Sequence, residues 1–285
     1  FRGTAWQGNH VYQGGTMTIG AEIDHVIDSV KQSAKYRSVN SDLIRRIGTE
    51  QLTRHPKLKE AVKATKNKLH QVCGAYVAER MDYARWTGVL AAAKDDKEAL
   101  RTACIQMMQT HRSTQERVPI LDQFYSELFR RLPPIASIVD IACGLNPLAV
   151  PWMNLHEDAR YLALDVYDDL ADFTNTFFKV AGVNGVARSQ DILQQAPTEH
   201  ADLALVLKAI PCLEQLNSDA GSKLLDAIDA DHMVVSYPIH TLTGRSIGMD
   251  AFYEQQFTNM VAGRGWTIER MRFDTELAFL VSKAV

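Results

Sequence analysis

The sequence has no run approaching the roughly 20 apolar residues that a membrane-spanning helix requires. Its opening residues also lack the apolar core of a signal peptide. No membrane association and a cytoplasmic location are therefore expected. Cysteine is scarce: four residues, Cys73, Cys104, Cys143 and Cys212, lie far apart. Without paired short spacings they argue against a zinc site or a disulfide framework, so reduced thiols and no metal are expected. Glycine is missing where a dinucleotide site would need it. The stretch "SIVDIACGLNPLAVPW", Ser137 to Trp152, reads as a strand entering a nucleotide-type turn but holds Gly144 alone. A backbone that lets a pyrophosphate approach carries three glycines, so a nicotinamide dinucleotide is disfavoured.

At 285 residues and 46% apolar side chains, the chain can bury a substantial core in one large domain or two smaller ones. Residues 1–16, "FRGTAWQGNHVYQGGT", are aperiodic and read as a tag or a disordered extension. From about Gly20 to Arg131 the apolar period is helical, broken at "VNSD", "RHPK", "GAYVAER" and "KDDKE". Residues 17–131 are therefore expected to form a helical bundle.

The net charge of −3 is unevenly divided. Residues 31–69 hold eleven Lys plus Arg against three acids, a local +8 set against −11 for the remainder. Such segregation suits a polyanionic partner. In "PKLKEAVKATKNKLHQVCGAY", Leu58, Val62, Leu69 and Cys73 share one helix face, and Lys59, Lys63, Lys66 and His70 form an adjoining stripe. Lysines of this kind commonly just solvate a helix. Their company with Lys31, Lys35, Arg37, Arg45, Arg46 and Arg54 favours a phosphate-binding surface.

Beyond residue 132 the pattern changes to β-branched runs alternating with helical segments: "SIVDIA", "YLALDV", "GVARSQD", "ADLALVLK", "HMVVSYP", "TIERMRF" and "ELAFLVS". Residues 132–285 are therefore expected to form an α/β domain with a mainly parallel, doubly wound sheet. The last two runs are separated only by "DTE", too short for a crossover, and should form an antiparallel hairpin.

Ligands of such sheets bind at the carboxyl ends of the strands, where Asp140, Asp165 and Asp191 recur at about 25-residue spacing. Any one such acid is also what a turn or helix start uses. Together they suggest a nucleoside site, with Asp165 on the ribose hydroxyls and Asp191 on the adenine amino group. Ala142, Cys143 and Gly144 are small enough for a ligand to lie against the backbone. Asn146 and Pro147 read as the N-cap and first residue of the next helix. A sulfonium cofactor, which has no phosphate, fits this turn better than a dinucleotide.

The stretches "HRSTQERVPILDQFYSELFRRLP", "DIACGLNPLAVPWM", "LKAIPCLE", "VVSYP" and "GRSIGMDAFYEQQF" resemble the aminoglycoside-resistance 16S rRNA (guanine-N7) methyltransferases, the Arm/Rmt and antibiotic-producer self-protection enzymes. The resemblance runs from about Lys35 to the C terminus and looks closer to the producer type. It implies a class I, Rossmann-like fold using S-adenosyl-L-methionine, whose sheet typically closes on an antiparallel hairpin. The substrate it implies is the decoding-site helix 44 of 16S rRNA in the assembled 30S subunit. Carried over by position, Arg117 would hold the methionine carboxylate. Ala142 and Gly144 would line the methionine portion, Asp165 and Val166 the ribose, and Asp191 and Ile192 the adenine. Lys208 and Pro211 would stand where the base meets the methyl group, with Arg245, Gly248, Met249 and Tyr253 in the target-nucleotide region. Lys208, Arg245 and Met249 are then the substrate-positioning set, and Lys35, Arg37, Arg45, Arg46, Lys59, Lys63, Lys66, His70, Arg245 and Tyr253 the RNA-facing set.

The sequence departs from the family at His240 and Ile247, where a permanent positive charge is common. The exocyclic-amine signature of Asp or Asn followed by Pro-Pro-aromatic is absent from "KAIPCLE". Cys212 has no second cysteine after the next strand, which makes it a packed residue rather than a nucleophile. Guanine N7 carries a free lone pair at neutral pH, so no general base is expected. Either Tyr253 or Tyr237 could stack on an extruded base, although a core position is the commoner role for a tyrosine. No cue for an obligate oligomer is visible, and a monomer is expected. Competing readings of the same residues are a small-molecule methyltransferase with a helical lid, an adenine-N1 rRNA methyltransferase and a non-catalytic RNA-binding protein.

Overall fold

The computed structural model describes residues 19–74, 81–239 and 248–283. The N-terminal extension, most of "GAYVAER", and the segment holding His240, Arg245 and Ile247 lie outside them, as does the Cys73 side chain.

The expected breaks within the described residues fall between helices: α1 (Ile19–Lys31), α2 (Ser41–Arg54), α3 (Leu58–Leu69), α4 (Tyr83–Ala93) and α5 (Lys97–Met108). Asn40 of "VNSD" starts α2, its Oδ1 accepting from the N–H groups of Asp42 and Leu43 at 2.9 and 3.3 Å. The pair His55-Pro56 separates α2 from α3 because the residue before a proline is pushed out of helical geometry. Asp96 of "KDDKE" caps α5 in the same manner as Asn40. Val26 and Val30 of α1, Leu43, Ile44 and Ile47 of α2, and Leu69 of α3 close a core of their own.

The later helices belong elsewhere. Leu90 of α4, Cys104 of α5, and Phe124 and Leu128 of α7 (Leu121–Arg131) share one buried cluster with Ile138 of the first strand. A boundary at residue 131 therefore does not separate two cores. The apolar stripe of α7 is buried in the cluster that also packs on the sheet, so the helical unit with a core of its own is α1–α3.

Seven strands form one sheet in the order β3-β2-β1-β4-β5-β7-β6. They span Ser137–Ile141 (β1), Arg160–Asp165 (β2), Gly185–Ser189 (β3), Ala201–Leu207 (β4), Ala230–Pro238 (β5), Thr267–Arg272 (β6) and Glu276–Ser282 (β7). Strands β1 to β5 pair in parallel, and β7 runs antiparallel between β5 and β6. The mainly parallel α/β architecture with its terminal hairpin is thus as the sequence pattern indicates. Alternation along β1 sends Ile138 to the cluster shared with α4, α5 and α7 and Val139 and Ile141 to the opposite face. The β6 edge is exposed and carries Glu269, Arg270 and Arg272, which discourages pairing with another chain.

Candidate cofactor and active site

The strand order reverses between β1 and β4, and a crevice opens at their carboxyl ends. Both strands exit through unusual backbone. Ala142 after β1 has φ +52°, Lys208 after β4 has φ +58°, and Gly144 has φ +51°. Left-handed geometry is costly for residues with a Cβ, so two such residues side by side mark a place where the fold tolerates strain to shape a site. At Gly144 a Cβ would also stand 3.0 Å from Cε1 of His111, so the imidazole would have to give way to any larger residue.

The cavity above this turn is lined by Ala142, Gly144, Asp165, Val166, Asp191, Ile192 and Lys208, so it brings together every expected cofactor residue except Arg117. His111 and Ser113 also line it, and Leu43, Arg46 and Val72 come from the helical unit. Of these, His111 and Ser113 sit inside the motif that holds Arg117. Burial first, then Arg117 and Lys208, push the His111 imidazole down to about 4, so it is neutral at physiological pH.

The three strand-end acids separate into different roles. Asp165 Oδ2 accepts the Gly144 N–H at 2.8 Å and Oδ1 the Val166 N–H at 2.7 Å, which fixes its carboxylate on the cavity rim. Asp191 also lines the cavity, but its carboxylate is gripped by Arg46 at 2.6 and 3.1 Å. Asp140 is corrected to a core residue: it is fully buried, and Oδ2 accepts from Asn146 Nδ2 at 2.9 Å and Tyr161 Oη at 2.7 Å. Burial raises it to about 6 against these hydrogen bonds, and its other oxygen has no partner among the described residues.

Asn146 is likewise not an N-cap. It is the first residue of a 3₁₀ turn, Asn146–Trp152, and its Oδ1 accepts from Arg117 Nη1 at 2.9 Å and from Tyr125 Oη at 2.6 Å. Arg117 ends α6 (Arg112–Arg117), is 1% exposed and does not line the cavity. Its Nε and Nη2 instead donate to Glu276 at 3.0 and 2.7 Å. On the sheet side the cation that lines the cavity is Lys208, as Arg46 is on the helical side; Lys208 Nζ lies 3.2 Å from Glu276, 3.0 Å from Glu116 and 3.1 Å from the Ser113 carbonyl. Glu276 is thus the common carboxylate of both cations, and Ser236 Oγ donates to it as well at 2.5 Å. Burial would raise the Glu276 carboxyl, but Arg117 and Lys208 outweigh it and hold it below the usual range. Nothing in the local pattern of "ELAFLVS" marks this residue.

The expected RNA-facing residues do not form one free basic face. Arg46 is committed to Asp191, Arg45 to Asp24 at 3.3 Å, and Lys35 donates to His70 Nδ1 at 2.9 Å. Arg37, Lys59 and Lys63 are exposed and Lys66 is half-buried. The last three have no carboxylate within 4 Å among the described residues. Tyr237 is fully buried, and the half-buried Tyr253 stacks on it with centroids 4.8 Å apart, so the first is not available to a nucleobase. Met249 opens the helix Met249–Val261 behind Gly248, whose φ is +76°. Phe252, unmarked by any periodicity, is the aromatic that this helix exposes, at 59%. Arg245 lies outside the described residues.

The model of the ribosomal RNA methyltransferase (FmrO) family matches residues 32–280. A 16S rRNA (guanine(1405)-N(7))-methyltransferase of Frankia casuarinae is 35% identical over 280 residues, which cover 95% of this chain and 98% of that relative. The enzyme of the same name from Micromonospora rosea is 34% identical, with 94% and 99% covered, and that from Serratia marcescens is 33% identical, with 92% and 98% covered. Among solved structures, the 16S rRNA methyltransferase RmtF in complex with S-adenosyl-L-homocysteine superposes with a TM-score of 0.79 at 30% identity, covering 92% of this chain and 98% of that one. The 16S rRNA methylase RmtB gives 0.75 at 30% identity with the same coverage. The fold accords with that of these solved structures, and the chain belongs to the ribosomal RNA methyltransferase (FmrO) family.

Proposed function

We propose that the chain transfers a methyl group from S-adenosyl-L-methionine to N7 of guanine 1405 in helix 44 of 16S rRNA, acting in the cytoplasm as a monomer on the assembled 30S subunit. The resulting resistance to aminoglycosides follows from the charge and bulk placed where their ammonium groups bind. The observation that carries the cofactor reading is the rim at the switch point: the Asp165 carboxylate fixed by the Gly144 and Val166 amides, beside left-handed backbone at Gly144 where a Cβ would crowd His111. The target reading rests on whole-length similarity to enzymes named for that guanine.

The residues present fit the cofactor. Asp165 and Val166 would hold its ribose, Asp191 and Ile192 its adenine, and Ala142, Gly144 and Lys208 its methionine portion. Bound there, it would supply the electrophilic methyl group. With His111 neutral, the cavity lining adds no cation beyond Arg46 and Lys208, each of which is paired with a carboxylate, and this favours a sulfonium. Arg117, from behind the cavity wall, would act on Lys208 through Glu276 rather than by direct contact. Because guanine N7 offers its lone pair without deprotonation, the protein's task is alignment, and orientation is the main source of rate. Lys208, Met249 and Arg245 are the residues proposed to position the base, and Lys59, Lys63 and Lys66 to hold phosphates at a distance from it.

Tritiated methyl transfer to purified 30S subunits, followed by borohydride-aniline cleavage of the rRNA, tests this reading. Label with cleavage at the decoding-site guanine supports it. Label without cleavage there, or transfer only to a free metabolite, overturns it.

A further inference from the structure

We infer that Arg46 belongs to the cofactor site, so that the helical unit α1–α3 completes the pocket around the purine end of the cofactor. The inference rests on the proposed reading of the cavity as an S-adenosylmethionine site. Arg46 projects from α2 and donates twice to Asp191, from Nε to Oδ2 at 2.6 Å and from Nη2 to Oδ1 at 3.1 Å. Both residues line the cavity; the Asp191 side chain is 3% exposed and that of Arg46 29%. A guanidinium held at two points is a flat, oriented surface; with the Leu193 N–H also donating to Oδ1 at 3.2 Å, the carboxylate it grips keeps one lone pair, on Oδ2, for a further donor. That combination suits an aminopurine: the ring lies along the guanidinium plane and the exocyclic amino group donates to Asp191.

Two further observations point the same way. Paired with a nearly buried carboxylate, Arg46 adds no net charge to the basic surface of the helical unit, which makes it a poor phosphate anchor. The joint between the unit and the sheet is also built on this rim. The Asn40 N–H donates to the Val166 carbonyl at 2.7 Å, Asn40 Nδ2 to the Ser189 carbonyl at 3.3 Å, and the Asp168 N–H to the Ser38 carbonyl at 2.7 Å. Val166 and Ser189 flank the ribose and adenine ends of the proposed site.

Titration calorimetry on the full chain tests the inference with S-adenosylhomocysteine, 5′-methylthioadenosine and 5′-methylthioinosine. Arg46→Gln is expected to weaken S-adenosylhomocysteine at least about tenfold and to shrink the preference for the adenosine over the inosine compound at least about fivefold. Arg46→Lys should fall between, since it keeps the charge and loses the bidentate plane, and it keeps the test readable if the glutamine variant does not fold. Unchanged affinity in both variants makes Arg46 a surface residue and overturns the inference. Equal losses on both nucleosides, with a lowered melting temperature, reduce Arg46 to an interdomain latch and overturn it too. A wild-type chain that binds none of the three compounds overturns the cofactor reading itself, and the inference with it.

Discussion

The lysines of α3 and the two cations beneath the cavity carry the same charge in opposite surroundings. Lys59 and Lys63 face solvent, with no carboxylate within 4 Å among the described residues. Arg117 and Lys208 are 1% and 6% exposed and share the carboxylate of Glu276, which is fully buried. Exposed charges are screened and cost the fold little, so they are free to act on a distant polyanion. Buried ones exist only as members of a satisfied set, and the set becomes part of the fold.

The sharpest way to break this comparison is to remove the shared carboxylate. Glu276→Leu leaves Arg117 and Lys208 without their common partner and should lower stability by about 3–5 kcal/mol, read by urea denaturation. A loss below about 1 kcal/mol would mean that water reaches the two cations and that the network is no more structural than the α3 lysines.

The buried set also titrates in a way the surface does not. Asp140 in the folded state lies at about 6, above its ordinary 3.8, so the fold retains a proton that the unfolded chain releases. The stability from that proton is complete at low pH and is lost as pH rises toward 6. His111 runs the other way: its folded value of about 4 lies below 6.5, so the unfolded chain protonates first and stability is lost as pH falls from 6.5 toward 4. Between pH 4 and 6 the two slopes oppose each other. Asp140→Asn removes the first, and its stability should gain on the order of 2–3 kcal/mol relative to wild type between pH 4 and pH 6. Parallel pH profiles for the two proteins, measured by chemical denaturation, would show that Asp140 is not held protonated by the fold.

A smaller effect is expected at the turn itself. Gly144→Ala places a Cβ on left-handed backbone and 3.0 Å from the His111 ring. The backbone alone should cost about 1–2 kcal/mol, and displacement of His111 should weaken S-adenosylhomocysteine further. Wild-type affinity and melting temperature in this variant would remove the turn from the proposed site.

What could be read in the sequence follows the same division. The sheet was legible because its strands are short apolar runs with acids at their ends, so Asp165 and Asp191 could be placed by counting strands, whereas Val166 and Ile192 came from the family resemblance. Local pattern misled at Asn146, where a helix-start signal turned out to be a buried junction between Arg117, Tyr125 and Asp140. It was silent at Glu276, which lies 159 residues from Arg117 and meets it only because β7 inserts between β5 and β6. Arg46 was legible as a cation, but its partner Asp191 is 145 residues away, so its sign suggested RNA while its position suggests the cofactor. The boundary near residue 131 was misplaced for a similar reason. Helical period reveals that α4–α7 are helices, not which apolar surface buries them.

The smallest effect on stability and the most selective effect on binding are expected together on α3. Replacing Lys59, Lys63 and Lys66 with glutamine removes no pairing carboxylate contact and leaves the buried face of the helix, Ala61, Thr65 and Leu69, untouched. Stability should therefore stay within about 0.5 kcal/mol of wild type. If these side chains neutralise phosphates, the slope of log K against log salt for 30S binding should shrink by about 2 to 3, while the affinity for S-adenosylhomocysteine is unchanged. Arg46→Gln should give the converse, with cofactor affinity reduced and the salt slope retained. A shared response, in which both variants lose salt dependence, would return Arg46 to the basic surface and erase the distinction between free and committed charge in the helical unit.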